Sequence, residues 1–153
     1  MVSVPVRDAA RFISHAKTVS IRLILADDHE QFRQTLQALL ERQEDIRVLA
    51  GVGDGIALTR IVDGFVPPPD LIVTDVAMAL QSGIEMARLL RVSHPYIRIL
   101  ALSMHDDSRF VAAMLAAGAS SYMLKSDPFD VLLHAIRATA SGASCLSPQL
   151  IYQ

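Results

Sequence analysis

"LIVTDVAM", Leu71 to Met78, is a short apolar run that ends in a carboxylate. Four positions suited to a strand lead into Asp75, and small or apolar residues follow it. A charge at the end of a run that reads as buried costs free energy unless something partners it. Comparable runs lie on either side along the chain: "IRLILA" (Ile21 to Ala26), "IRVLAGV" (Ile46 to Val52), "IRILALS" (Ile97 to Ser103) and "SYMLK" (Ser121 to Lys125). The third run itself reads from Asp70 as "DLIVT". Most are continuous rather than alternating, the pattern of strands covered on both faces.

The segments between the runs have helical period. Phe32, Leu36, Leu39 and Leu40 share one face, as do Phe129, Leu132, Leu133 and Ile136. Ser82 and Glu85 have capping-box spacing. Asp127 followed by Pro128 reads as N-cap and first helical residue, and Gly118 is placed to end a helix. Pro67, Pro68 and Pro69 bar any helix from running into the third strand. A strand–helix unit repeated about five times predicts an α/β, doubly wound, five-stranded parallel sheet with right-handed crossovers.

The 153 residues suffice for one domain with its own core, and a hydrophobic fraction of 52% excludes disorder throughout. A formal net charge of -2 gives no general attraction to nucleic acid or anionic membrane. Cys145 is the sole cysteine, so no intrachain disulfide forms, and a reducing compartment fits. No apolar run is long enough for a bilayer, and the charged N-terminus does not suit a signal peptide. The expected location is the cytoplasm, with no membrane partner. Residues 1–20 are expected to be an N-terminal extension, where Ala9, Phe12, Ile13 and Ala16 have amphipathic helical spacing. The domain is expected over 21–141, and 142–153 to begin a linker or tail.

Asp75 is one of several polar groups at strand ends. The first strand ends in Asp27 and Asp28, the fourth at Ser103 and the fifth at Lys125. In a parallel sheet these ends share one edge, where ligands of open α/β sheets bind at the reversal of winding. With strand order 2-1-3-4-5 the first and third strands are neighbours, so Asp27, Asp28 and Asp75 converge. Clustered carboxylates repel and raise one another's pKa. A magnesium ion, with its preference for oxygen ligands, offsets that repulsion. The site then suits a phosphoryl group, with Asp75 as nucleophile, Lys125 neutralising charge and the Ser103 hydroxyl as donor. Singly, each residue has an ordinary role: a lone Asp after a strand is most often a turn former or cap. Their joint placement on separate strands carries the inference.

"LILADDH", "LIVTDVAM", "LALSM" and "AAGASSYMLKS" resemble the motifs of response-regulator receiver domains, the CheY-like family, and most closely the receivers of LuxR-type transcription regulators. The resemblance runs from about Ile21 to Ser141. It implies the flavodoxin-like (βα)5 fold and a Mg2+-dependent phosphoacceptor at Asp75, served by a sensor histidine kinase or a small phosphodonor. It implies Asp28 as a direct metal ligand, Asp27 as a ligand through water, and the backbone carbonyl of Ala77 as a third ligand. It makes Ser103 and Tyr122 a switch pair, in which phosphate draws Ser103 and the Tyr122 ring turns inward, and Lys125 the lysine of the family. Output is expected to be transcriptional, through a C-terminal DNA-binding domain absent from this chain, with a homodimer as a partner on phosphorylation; the alternative is a stand-alone receiver acting as a protein-interaction module. Such a chain catalyses only its own phosphorylation and dephosphorylation and is not an enzyme on an external substrate.

Two positions depart from the family pattern: Ala79 and Ser126 stand where proline is usual. Three other classes fit less well. An aspartyl-phosphate phosphatase would need Asp-x-Asp-x-Thr spacing, a flavin site a first loop free of carboxylates, and a pseudo-receiver acting only as an interaction module the loss of acidic residues that are intact here. His29 reads as the start of the first helix. His105 lies two positions past Ser103, where the family tunes phosphate hydrolysis. His15, His94 and His134 lack zinc-ligand spacing.

Overall fold

Strand β3 (Leu71–Thr74) is buried along its whole length, with strands on both sides and helices above and below. A computed structural model describes residues 20–78 and 80–151; the N-terminal helical reading and Ala79 lie outside the described residues. Around β3 run β1 (Ile21–Ala26), β2 (Ile46–Val52), β4 (Arg98–Ser103) and β5 (Ser121–Leu124). All pairings are parallel and the order is β2-β1-β3-β4-β5, as the strand-end argument requires.

Side chains along each strand alternate between two cores. Leu23, Leu25, Leu71, Val73, Leu100 and Leu102 face helices α1 (Glu30–Glu41) and α5 (Phe129–Ala140) through Leu36, Leu40, Leu132 and Ile136. Ile24, Ile72, Ile99 and Tyr122 face α2 (Gly55–Val62), α3 (Gly83–Ser93) and α4 (Ser108–Ala117) through Leu58, Leu90 and Met114. This two-sided cover explains why the runs read as continuous.

Most caps follow from local chemistry. Ser82 Oγ accepts from the Glu85 N–H, and Asp54 and Asp107 cap α2 and α4. Gly118 closes α4 at φ 123, a conformation open to glycine. The start of α5 corrects the sequence reading. Pro128 is its N-cap, and Asp127 does not cap it. The Asp127 carboxylate instead accepts from the Leu124 N–H and from Ser147 Oγ, both at 2.8 Å. Beyond Ser141 the chain returns along β5. Leu146 forms a parallel bridge with Tyr122, Ser147 is fully buried, and a short helix α6 (Pro148–Ile151) follows. No helix among the described residues is long and apolar enough to cross a membrane.

Candidate functional site

The residue after β1, β3 and β5 is in each case held by one further rung of the ladder. Asp27 N–H donates to Val52 O at 2.9 Å, Asp75 N–H to Ala26 O at 2.8 Å, and Lys125 N–H to Ser103 O at 2.9 Å. Backbone pairing therefore fixes where these three side chains leave the sheet. Asp27 and Asp75 are buried at 5% and 4% exposure, while Asp28 opens toward solvent.

Lys125 reaches back across the sheet edge. Its Nζ lies 2.7 Å from Asp27 Oδ2 and 3.0 Å from Asp75 Oδ2, with the Phe32 ring 4.8 Å away beneath it. Burial pushes the Asp75 carboxyl above the ordinary range; the Lys125 hydrogen bond and charge oppose this, and the Asp27 charge adds to it. The Ala77 N–H is 3.3 Å from Asp75 Oδ1, so that peptide lies at the rim of the site. Gly83 closes the floor: a Cβ there would sit 2.1 Å from the Asp75 carbonyl oxygen.

Ser103 and Tyr122 meet through the backbone of His105 rather than at Asp75. The His105 N–H donates to Ser103 Oγ at 3.0 Å, and the Tyr122 hydroxyl donates to the His105 carbonyl at 2.8 Å. Burial pushes the Tyr122 phenol up, and Ser103 opposes that shift. The Tyr122 ring is fully buried in the α2–α4 core, and Ser103 is fully buried beside it. The His105 ring stacks on Phe110 with centroids 4.7 Å apart. Ser126 is engaged with the tail, accepting from Gln149 Nε2 at 3.3 Å.

His29, which the sequence reading assigned to the helix start, belongs to the cluster. It is the N-cap of α1 but makes no side-chain capping bond. Its Nδ1 lies 3.1 Å from Asp27, 3.4 Å from Asp28 and 3.6 Å from Asp75. Asp27, Asp28, Asp75 and His29 each offer a ligand atom, all within 4.8 Å of one another. The carboxylate oxygens are hard donors and fit magnesium. An open groove of about 640 Å³, lined in part by Phe32, Thr35, Met104 and Ser126, runs beside Lys125.

A profile of the response regulator receiver domain matches residues 23–137. The transcriptional regulatory protein DegU of Brevibacillus brevis is 32% identical over 132 residues, 86% of this chain and 55% of its own length. LiaR of Bacillus subtilis, also a transcriptional regulatory protein, is 37% identical over 124 residues, 80% of this chain and 57% of its own length. The chain thus spans a little over half of these relatives. A crystal structure of a LuxR-family two-component response regulator from Aurantimonas sp. SI85-9A1 superposes with a TM-score of 0.81 at 32% identity, covering 87% of this chain and 94% of that one.

Proposed function

Because this chain belongs to the response regulator receiver family, we propose that it is a phosphorylation switch whose acceptor is Asp75. The observation that carries this reading is the buried Asp75 carboxylate held 3.0 Å from Lys125 at the centre of the acidic cluster. An Asp75 oxygen attacks the phosphorus of a phosphohistidine on a sensor kinase. The new O–P bond forms as the P–N bond breaks, and the electron pair leaves with the donor imidazole. A small acyl phosphate serves in the same way, with a P–O bond breaking. Asp27, Asp28 and Asp75, with the Ala77 carbonyl, would hold Mg2+, which when bound supplies positive charge to the transferring group. Lys125 supplies the protein's own positive charge beside Asp75. The groove beside Lys125 gives a donor its approach.

Phosphate on Asp75 adds acceptor oxygens close to Ser103. The Ser103 hydroxyl, which accepts from the His105 N–H, then donates its own hydrogen to the phosphoryl group, and the loop that carries His105 shifts relative to Tyr122. This biases a two-state element at α4 and β5. Output is transcriptional, in keeping with the names of DegU and LiaR, both transcriptional regulatory proteins, and is carried by a separate DNA-binding domain. The segment itself, at net charge -2, does not read DNA.

Intact-mass measurement with acetyl phosphate and magnesium tests the acceptor. One phosphoryl group should add to the wild-type chain and none to Asp75→Asn. Equal addition to both proteins refutes the assignment.

A further inference from the structure

We infer that His29 supplies a nitrogen ligand to the metal site, making this site prefer a borderline transition ion, such as nickel, to magnesium. The inference rests on the metal-binding reading of the same cluster and extends it by one donor atom. Nδ1 lies within 3.6 Å of an oxygen from each of three carboxylates and 3.0 Å from Lys125 Nζ. An ammonium can only donate, and ionised carboxylates can only accept. One imidazole nitrogen cannot satisfy both kinds of neighbour. A cation shared by the carboxylates and the Nδ1 lone pair resolves this conflict.

The ring is not used as a helix cap; its partners are the groups of the cluster itself. It makes no capping bond to α1, and its side chain is 57% exposed, so an ion can reach it. The His29 N–H bond to Asp27 Oδ1, at 2.8 Å, is backbone and survives replacement of the ring. His105, the other histidine near the site, is turned onto Phe110 instead. Imidazole favours nickel, copper and zinc, whereas magnesium takes oxygen ligands and keeps water, so an oxygen-and-nitrogen set shifts preference along the Irving–Williams order.

Calorimetric titration of the full chain with nickel and with magnesium tests this, together with pulsed electron paramagnetic resonance of bound manganese. His29→Ala and His29→Asn should lower nickel affinity about tenfold or more, while magnesium affinity changes by less than about twofold. Wild-type protein and His105→Ala should show imidazole nitrogen coupled to manganese, and both His29 variants should lack it. Asp28→Ala should lose both metals. Magnesium binding that needs Asp28, with nickel affinity and nitrogen coupling indifferent to His29, overturns the inference and leaves the site reading intact. Magnesium binding that ignores Asp28 overturns the site reading itself.

Discussion

Asp75 combines a buried carboxylate with a strained charge balance, and its titration exposes that balance. Its folded-state pKa stands above the ordinary 3.8 because burial outweighs Lys125. In the interval between the two values the folded chain keeps a proton that the unfolded chain has released. Stability contributed at this position therefore falls as pH rises from about 3.8 through the raised value, and stays lower above it. Asp75→Asn should remove this fall, so that in chelator the variant is more stable than wild type at neutral pH and equal to it at low pH. Urea unfolding across pH checks the difference; a variant less stable at neutral pH contradicts it. Lys125 keeps Asp27 at 2.7 Å in that variant, so no buried ammonium is stranded. Tyr122→Phe should cost about 0.5–1.5 kcal/mol, the net worth of one hydrogen bond to the His105 carbonyl, and leave Asp75 phosphorylation by acetyl phosphate unchanged. Denaturation and intact mass read the two halves of that statement. The acid pair, Asp75 and Lys125 were legible because each stands at the end of an apolar run. His29 was not: its neighbours Asp75 and Lys125 come from β3 and β5, and nothing local separates a helix-starting histidine from one aimed at them.

At the scale of elements, the start of α3 lies hard against the backbone just after β3. Gly83 begins α3 directly against the Asp75 carbonyl, and its N–H donates to Val76 O at 2.9 Å. A methyl group there meets the Asp75 and Val76 backbone just past β3, which has no rotamer to yield. Gly83→Ala should cost about 1–3 kcal/mol and slow phosphorylation of Asp75, because the loop must lift the acceptor to make room. Chemical denaturation and the rate of phosphoryl incorporation check this; an unchanged midpoint and rate would contradict the contact. Strand and helix positions were legible because β3 and its neighbours are apolar on both faces and α1 and α5 on one. Asp127 was misread for a physical reason. An Asp before a proline satisfies the local rule for a cap, but Ser147 arrives 20 residues later with a competing hydroxyl. Gly83 gave only the signal of a glycine after a capping serine, which does not reveal a carbonyl pressed against it.

Across the whole molecule, parallel pairing sends every strand toward the same edge, so residues from β1, β3 and β5 reach one site without a long loop. The opposite edge is braced by charge: Arg137 of α5 forks onto Asp45 before β2, at 2.8 and 2.9 Å, holding the Asp45 carboxyl below its ordinary range. That pair is part-exposed, and Arg137→Ala should cost less than about 1 kcal/mol by denaturation. The segment alongside β5 has a different consequence. Tyr122 N–H donates to Cys145 O and Ser147 N–H donates to Tyr122 O, both at 2.9 Å. These two bonds close the open margin of an outermost strand, which otherwise presents an unpaired backbone row as a template for a second chain. A protein cut at Ser141 should therefore zip to its own copies margin to margin. Sedimentation velocity would detect this as concentration-dependent self-association absent from the 153-residue chain.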